Sequence, residues 1–390
     1  MNRGLNHFLI SIVSICALTS CSEEKTEHDA LFKVEISKVR QLELGFKGLS
    51  SDPLFPPYML AEDKKSVLLL NSQAKTIDTL FFNGEEAILK SGNIMETEGP
   101  FAFPRARSFF QTKSGTHFIQ PRGLISWFSA DSSYERTIKF DKLEAFQPYP
   151  LISFSGLYDV YWGLDFHGYD PARDEMYLMS KDLQSGKIIF FKYAILTQEL
   201  TELPAIYDSD LLKKHQLQAS GDGLILMKNN LPYINVLGDS ILMSYVFSNE
   251  IIVYNTQTKA SSTLDYTTYN FPSEKIDHPD PIGSNSRKEA EKTSYLWDYD
   301  VSYSIMDTLP TGDGYFRMVK GPQEKGQQQG YEMFIEVFDI NLIKLGEINL
   351  SEIQPDVGKL FFLFKDGIFI KGKSQETEDV LNYYVLKIEL

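Results

Sequence analysis

The chain contains very little cysteine, only two residues in 390. Cys16 lies within an N-terminal apolar run, and Cys21 lies just beyond it. Two cysteines in these positions cannot form the disulfide framework of small secreted domains, and they offer no cysteine metal site. The folded part of the protein must therefore be stabilised by packing and not by covalent cross-links.

Positive charge is also scarce. The chain has 38 Lys and Arg against 53 Asp and Glu, which gives a formal net charge of -15 and a pI near 4.9. Nucleic-acid binding needs clustered Lys and Arg to displace the counterions of the phosphate backbone. This balance excludes nucleic acid as a partner, and it also excludes a polybasic patch that would hold the protein to a membrane.

The common catalytic signatures are missing. The sequence has no His-Glu-x-x-His, no Gly-x-Ser-x-Gly, and no phosphate-binding or calcium-binding loop. Its six histidines are too few and too dispersed for a polyhistidine metal centre. We therefore predict no metal and no cofactor. An enzyme whose Asp and His residues are scattered along the chain would lack these motifs too, so catalysis stays open as an alternative.

The N-terminus has the pattern of an export signal. The apolar run at residues 8–18 follows Arg3 and has eleven residues, whereas a membrane-spanning helix needs about 20. The tetrapeptide Leu18-Thr19-Ser20-Cys21 resembles the lipobox of bacterial lipoproteins, in which the cysteine takes a diacylglycerol and becomes the new N-terminus. We predict a signal peptide at 1–20 and a lipidated, flexible tether at 21–31. The alternative is a plain secretory signal with a chance cysteine.

The residues after the predicted lipidation site indicate where in the cell envelope the protein is located. Ser22-Glu23-Glu24-Lys25 resembles the acidic tetrapeptides that route lipoproteins of Bacteroidota-type bacteria to the outer face of the outer membrane. We therefore expect an outer-membrane, lipid-anchored protein that is surface-exposed in preference to periplasm-facing. The alternative is a merely polar linker, since charged tethers of this composition stay unstructured.

Most of the remaining chain reads as short strands. In the clearest unit, strands after Leu231 are separated by turns at Gly238-Asp239 and Ser248-Asn249, and an outer strand follows near Ser261. Inner strands such as Ile241-Leu242-Met243 are apolar without alternation, as expected when both sheet faces are buried. The unit recurs six times, at about 54–100, 101–145, 150–206, 220–270, 297–352 and 355–390.

The two ends of the folded chain complement each other. The last unit has only three strands before Leu390, and the strand pattern at residues 32–36 belongs to no unit. If that segment pairs beside residues 383–388, the sheets close into a ring with no open edge. We predict a single all-β domain at 32–390, a six-bladed β-propeller closed by its N-terminal strand. Seven blades, a β-sandwich pair and an irregular β-solenoid are the alternatives.

The lipobox at Cys21, the chain length, the blade rhythm and the closing strand together resemble a group of Bacteroidota lipoproteins. These carry a TolB-like six-bladed propeller, and the chain is most similar to the domain-of-unknown-function 4221 family among them. The resemblance covers nearly the whole mature chain. It implies a propeller fold and a cell-envelope address, and no known reaction.

One segment, at residues 271–296, does not fit the repeated four-strand unit. It is too rich in proline for a sheet, and Ser286 with Glu289 forms a capping-box pattern that predicts a short helix before Trp297 returns to a strand. Long connections in compact folds are often functional. We expect either a flap that brings His278, Trp297 and Asp298 toward the central pocket, or a solvated excursion between blades.

Two further groups are candidate ligand contacts. Trp162, Asp165 and His167 lie in a predicted inner strand, where the Asp and His would share one side and could hold a cation or move a proton. Arg105 and Arg107 have the same spacing and could grip a carboxylate or sulfate. The alternatives are a hydrogen bond between blades for the first pair and an inter-blade salt bridge for the second.

The sequence therefore favours a membrane-anchored, non-catalytic binding or scaffold module of the cell envelope. Its partners would be the membrane, through the lipid on Cys21, and a glycan, peptide or envelope protein at a propeller mouth. The alternative is a hydrolase or lyase acting on polysaccharide, with acid–base groups among Asp165, His167, His278 and Asp298. A purely structural role in an outer-membrane assembly is the third interpretation.

Overall fold

The structure is a computed structural model, and it describes most of the chain after residue 29 with gaps. The described residues are 30–43, 58–60, 65–71, 74–83, 86–92, 95, 106, 108–112, 115–120, 124–129, 133–139, 142–144, 152–153, 158–159, 164–165, 167–182, 187–207, 209–215, 218–221, 224–227, 231–276, 287–323, 330–374 and 380–390. Five predicted site residues lie outside these ranges: Cys21, Arg105, Arg107, Trp162 and His278.

Within these ranges the strands form six antiparallel sheets with four strand positions each, arranged as a propeller, and two separate two-stranded hairpins. The N-terminal strand β1 (Lys33–Glu43) belongs to the sixth sheet. The first blade contains β2 (Tyr58–Leu60), β3 (Ser66–Asn71), β4 (Thr76–Asn83) and β5 (Glu86–Lys90). The second contains β6 (Ser108–Thr112), β7 (Gly115–Gln120), β8 (Leu124–Ser129) and β9 (Tyr134–Lys139).

The third blade has a divided first strand. β10 (Ile152–Ser153) and β13 (Gly168–Asp170) both pair with β14 (Glu175–Asp182), and between them β11 (Tyr158–Asp159) pairs with β12 (Leu164–Asp165) as a separate hairpin. The outer strands are β15 (Ile188–Ala194) and β16 (Glu199–Leu203). The chain then forms α1 (Ser209–Lys214) and a hairpin of β17 (Gln218–Gly221) and β18 (Leu224–Met227).

The fourth blade is the regular meander that the sequence predicts: β19 (Tyr233–Leu237), β20 (Ser240–Tyr245), β21 (Ser248–Asn255) and β22 (Ser261–Leu264). Helix α2 (Arg287–Tyr299) precedes the fifth blade, whose first strand is shared by β23 (Ser302–Tyr303) and β24 (Asp307–Thr308). The blade continues with β25 (Gly314–Lys320), β26 (Met333–Asp339) and β27 (Lys344–Asn349). Helix α3 (Leu350–Ile353) leads to β28 (Val357–Phe364), β29 (Gly367–Gly372) and β30 (Val380–Glu389) of the sixth.

The predicted closure of the ring is confirmed. Strand β1 pairs antiparallel with β30, from Lys33 opposite Glu389 to Glu43 opposite Val380. The N-terminal strand therefore supplies the fourth strand of the last blade, and the described four- and five-stranded sheets form six blades and not seven. Closure matters physically because it satisfies backbone groups of β30 that would otherwise form an open edge.

Burial on both sheet faces explains the uniformly apolar inner strands. Ile241, Leu242 and Met243 of β20 are successive residues and all are buried, so neighbouring residues on both sides of the sheet meet a packed layer. Between the third and fourth blades Phe190 packs edge-on against Tyr254, with ring centroids 6.3 Å apart. The core therefore lies between blades, as radial packing of small sheets requires.

The two ends of the ring differ. Because the strands of a blade are antiparallel, the connection between its second and third strands lies at one end together with the connections between blades. We call this end the hairpin face; it carries α1, the β17–β18 hairpin, α2 and α3. The opposite end, the turn face, carries the turns between first and second and between third and fourth strands. Strand β1 begins at the turn face, beside the end of β30.

The segment at 271–296, which lies outside the repeated units, continues into a longer helix than predicted. The short helix extends to Tyr299, so the expected strand at Trp297-Asp298-Tyr299-Asp300 is wrong. The alternation of large and acidic residues there resembles a strand, but the helix is stabilised by burial of Trp297 on one side. Helix α1 and the β17–β18 hairpin have no counterpart in the sequence-based units.

Candidate functional site

Helix α2 packs on the hairpin face against the β17–β18 hairpin of the preceding connection. Trp297 is buried, with its ring centroid 5.8 Å from that of His215 and 6.1 Å from that of Phe247. The connection between blades three and four and the connection between blades four and five thus share one small apolar cluster. This cluster fixes the position of α2 on the ring.

A charged group borders that cluster. The ring of His215 stacks on Phe247 with centroids 4.3 Å apart, and its Nε2 contacts the carboxylate of Glu274. Lys214 Nζ lies 2.5 Å from the same carboxylate oxygen. Partial burial acts to raise the pKa of Glu274, but the two neighbouring bases outweigh it, and the net effect is a lowered pKa. The carboxylate is therefore held in its charged form between the two.

The C-terminal turn of α2 is capped by two buried lysines. Lys275 Nζ donates to the carbonyl oxygen of Trp297 at 2.7 Å, and Lys320 Nζ donates to that of Asp298 at 2.8 Å. The backbone N–H of Gln323 donates to the carbonyl of Tyr299 at 2.7 Å. Carbonyl groups in the last turn of a helix have no N–H donor within the helix, and they carry the negative end of the helix dipole. Ammonium groups are therefore favourable partners for them.

Lys320 is unusual because it is buried and cationic. Burial lowers its pKa to about 8, and the nearby charge of Lys359 acts in the same direction, while Asp298 and Asp300 oppose the shift. Lys320 Nζ lies 5.7 Å from the ring centroid of Tyr331, and Lys373 Nζ lies 4.6 Å from it. Basic groups from blades five and six therefore converge at Tyr331 on the hairpin face.

An aromatic pair lies on the other side of α2. The rings of Tyr295 and Tyr299 stack with centroids 3.8 Å apart and an interplanar angle of 30°. Tyr295 is 39% exposed. A hydrogen bond with Tyr295 and the charge of Asp298 raise the pKa of Tyr299. The helix thus presents a stacked aromatic surface beside a carboxylate, an arrangement that can pack on an apolar ring face and accept hydrogen bonds.

The structure separates Asp165 from His167. The first ends β12, where it lies opposite Tyr158, and the second precedes β13. The strand that ends at Asp165 pairs with β11, and the strand after His167 pairs with β14, so the two residues adjoin different strand pairs. His167 is buried, and its ring centroid lies 6.0 Å from that of Phe110 in the second blade.

Trp297 and Asp298 are neighbours in α2 but have different environments. Trp297 is directed into the apolar cluster and holds the helix in place, whereas Asp298 is half-buried near Lys320 and Tyr299. His167 is distant from α2 in the sequence, and it lies between blades two and three, beside Phe110. The structure therefore does not gather the described members of the acid–base set, His167 and Asp298, into one cluster of contacts.

Sequence reasoning missed a buried ionic group in the fifth blade. Arg317, Glu336 and Glu347 lie in one row across β25, β26 and β27. Arg317 Nη2 lies 2.5 Å from Glu336, and Lys344 Nζ bridges Glu336 at 2.8 Å and Glu347 at 2.7 Å. Arg317 also donates to the carbonyl of Asn249 in the fourth blade at 3.0 Å. A lone Arg in an apolar strand was the available signal.

A second missed feature is a stack across the second blade. Phe110, His117, Trp127 and Arg136 are successive partners in β6 to β9. His117 lies parallel to Phe110 and to Trp127, at 4.8 and 5.8 Å, and Arg136 lies 4.8 Å from the Trp127 ring. Burial, aided by the charge of Arg136, lowers the pKa of His117 to about 4. A neutral imidazole is therefore part of the packing.

Among the residues that the structure describes, no three His, Cys, Asp or Glu side chains come together as a metal-binding group. Over the same ranges, no helix has both the length and the apolar character needed to cross a bilayer.

Comparison with known proteins supports the fold. No protein-family model and no curated protein matches the chain. A crystal structure of a member of the DUF4221 family from Bacteroides vulgatus aligns with a TM-score of 0.65 over 92% of this chain and 99% of that chain, at 13% identity. The chain has the fold of that protein. At this identity the likeness concerns the fold alone.

Other solved structures align with lower TM-scores. A protein described as exported, from Bacteroides fragilis, gives a TM-score of 0.44 at 12% identity, covering 92% of this chain and 96% of that chain. The calcium-binding protein regucalcin from Agrobacterium tumefaciens gives 0.41 at 8% identity, covering 86% and 91%.

Proposed function

We propose that this protein is a lipid-anchored binding or scaffold module of the bacterial cell envelope, which presents the hairpin face of its propeller to a glycan, peptide or envelope protein. The observation that carries the proposal is the polarity of the ring. The backbone N–H of Leu31 donates to the carbonyl of Leu345 at 3.2 Å, at the turn face where β1 begins. Helix α2 lies at the opposite end.

This polarity has a consequence for an anchored protein. Ten residue steps separate Cys21 from Leu31, and an extended chain spans at most about 3.3–3.6 Å per residue. A lipid on Cys21 would therefore keep the turn face within about 35 Å of the membrane. The hairpin face, with α2 and its neighbours, would point away from the membrane and toward soluble or surface-bound ligands. The acidic tetrapeptide after Cys21 supports the outer face of the outer membrane as the location.

The hairpin face also has the chemistry of a recognition surface. The stacked pair Tyr295 and Tyr299 offers aromatic area, and the half-buried Asp298 offers a hydrogen-bond acceptor. Aromatic residues held rigidly by packing are frequent anchors in binding sites because little side-chain entropy is lost on contact. The α2 segment is held rigidly by Trp297 and by two lysine caps.

The test measures ligand binding by the purified mature protein on glycan and peptide arrays, followed by titration of the ligands found. Replacing Tyr295 by Ala should weaken binding at least tenfold, because truncation of a central aromatic contact commonly costs more than 1.4 kcal/mol. Tyr269→Ala is the matched control, since Tyr269 is also exposed but lies outside the pair. Mass spectrometry of the mature N-terminus should show a diacylglycerol-modified Cys21.

Two results would contradict the proposal. One is the absence of any array ligand whose binding depends on Tyr295 more than on Tyr269. The other is a mature N-terminus without lipid, which would remove the anchor while leaving the recognition surface to be judged by the array.

A further inference from the structure

Four of the ten large apolar residues that are exposed among those described lie at one corner of the turn face. They are Leu31, 74% exposed, Ile343, 61%, Ile340, 56%, and Leu390, 47%. We call this group the aliphatic corner. Scattered exposed apolar residues need no explanation, but a contiguous group on an otherwise polar and acidic protein indicates a contact surface.

The backbone pairing brings these residues together. Leu31 is bonded through its N–H to Leu345, two residues after Ile343. Lys33 pairs with Glu389, so Leu31 and Leu390 lie at neighbouring ends of β1 and β30. Leu390 also reaches the fifth blade, where its Cδ1 lies 3.1 Å from the position that a Cβ on Gly314 would occupy. Gly314 in turn lies opposite Asp339, the residue before Ile340.

The exposure of the two isoleucines is fixed by the turn that carries them. Asp339 Oδ1 accepts hydrogen bonds from the N–H groups of Asn341 at 2.9 Å and Ile343 at 2.7 Å. Leu342 has a φ of 64° and bonds back to the carbonyl of Asp339 at 3.0 Å. A turn tied in this way holds Ile340 and Ile343 outward in a defined geometry, so they do not collapse onto the blade.

We propose that the aliphatic corner rests in the interfacial layer of the membrane and sets the orientation of the ring. The inference rests on the proposed lipid anchor at Cys21. The corner is continuous with the tether, because Leu31 lies just before the first strand and ten residues after Cys21. A lipid on Cys21 therefore brings this corner to the bilayer before any other part of the ring.

The charge around the corner indicates an apolar contact. Its charged neighbours are of both signs: Lys33 lies opposite Glu389, and Asp339 and Lys344 flank the two isoleucines. The chain carries a net charge of -15. Electrostatic attraction to anionic lipid is therefore not available, and insertion of aliphatic side chains is. Orientation should consequently be the same in zwitterionic vesicles at low and at high salt, because screening affects exposed charges and not apolar burial.

The sequence makes a clean labelling experiment feasible. The mature chain has Cys21 as its only cysteine, and lipidation consumes its thiol. Single cysteines can thus be introduced into the full lipidated protein and labelled with an environment-sensitive fluorophore after reconstitution into phosphatidylcholine vesicles. Ile343→Cys reports on the corner. Ile276→Cys, 70% exposed on the hairpin face, and Leu196→Cys, 65% exposed in a turn of the third blade, are matched apolar controls.

The label at 343 should shift to shorter emission wavelength and be quenched severalfold more by nitroxide-bearing lipids than the labels at 276 and 196. Equal quenching at 343 and 276 in a protein whose lipid is confirmed by mass overturns this inference and leaves the anchor intact. A chain without lipid on Cys21 overturns both. Protection of the 343 label from an aqueous quencher without quenching by lipid nitroxides shows that protein covers the corner, which also overturns the membrane contact.

Discussion

At the scale of single residues, the fold depends on charges that are buried together with their partners. Arg317 and Glu336 are both fully buried, and Lys344 and Glu347 extend the group to two positive and two negative charges. Such groups cost desolvation energy, but removal of one member leaves another charge buried without compensation. The guanidinium also contacts the Tyr303 ring at 4.6 Å and the carbonyl of Asn249, which joins the fourth and fifth blades.

Arg317→Met should therefore lower the free energy of unfolding by about 3–5 kcal/mol. Glu336 would keep only Lys344 as a cationic partner, and the bond to Asn249 would be lost. Urea denaturation measures the change. Lys187→Met provides the control, because its ion pair with Glu202 is exposed and should contribute less than about 1 kcal/mol. Equal losses of unfolding free energy in both variants would show that the buried ionic group is worth no more than an exposed ion pair.

His117 predicts a specific acid sensitivity. Burial lowers its pKa from 6.5 to about 4, so the unfolded chain takes up a proton before the folded protein does. Stability from this residue is therefore complete above pH 6.5 and falls as the pH drops toward 4, by up to about 3 kcal/mol. His117→Phe, which can retain the stack with Phe110 and Trp127, should flatten the stability curve over this range. An unchanged acid limb in the variant would contradict this assignment.

These residue-scale features mark the limit of sequence reasoning. The strands that carry Arg317 and His117 could be predicted, because apolar runs and turn residues define them. The pairing of Arg317 with Glu336 and Glu347 could not, because it depends on the register of three strands. Lys275 lies in a proline-rich segment for which the sequence leaves a flap and a solvated excursion open, and its burial depends on the position of α2.

At the scale of elements, α2 and its caps are the distinctive feature of the ring. The capping-box pattern indicates a helix at the right place, but the alternation after residue 296 suggests a strand. Tertiary contacts decide the outcome: Trp297 packs on Phe247, and lysines from two other segments cap the last carbonyls. Similarly, β12 and β13 of blade three pair with different strands, which the period-two spacing of Asp165 and His167 cannot reveal.

Lys320, which caps α2, makes the stability of the protein depend on pH in the alkaline range. Burial lowers its pKa to about 8, so between pH 8 and 10.5 the unfolded chain binds more protons than the folded protein. Its contribution to stability therefore increases with pH across this window, by about 1–2 kcal/mol between pH 7.5 and 9.5. Lys320→Met should reduce that slope, and hydrogen exchange should show faster opening of the α2 C-terminal turn.

The comparison needs urea denaturation of both proteins at pH 7.5 and 9.5. Burial also lowers the pKa of Lys371 and Lys373 and raises the pKa of tyrosines such as Tyr303 and Tyr383, so the test compares the slopes of the two proteins and not the sign of either slope. Lys259→Met, an exposed position in the fourth blade, controls for the loss of a charge. Identical slopes in the wild type and Lys320→Met would exclude the buried ammonium as a source of the pH dependence.

At the scale of the whole molecule, the fold was predictable because its signals are redundant. Six strand groups, turns such as Gly238 with a φ of 60°, and a surplus strand at the N-terminus all favour the same ring. The candidate binding surface was less predictable, since it is assembled from connections between blades and not from the repeated unit. The polarity of the ring links the two, because the strand that closes it also determines which face is near the proposed anchor.

The most direct test of the account is a cross-link between the two ends of the ring. Glu35 and Lys387 are exposed partners in β1 and β30, and paired antiparallel residues lie about 4.5–5.5 Å apart at Cα, within the range of a disulfide. In a Cys21→Ser background, Glu35→Cys with Lys387→Cys should oxidise to an intramolecular disulfide in nearly all molecules. Glu35→Cys with Lys365→Cys, a mismatched pair, should not. Failure of the matched pair to cross-link in folded protein would contradict closure by the N-terminal strand.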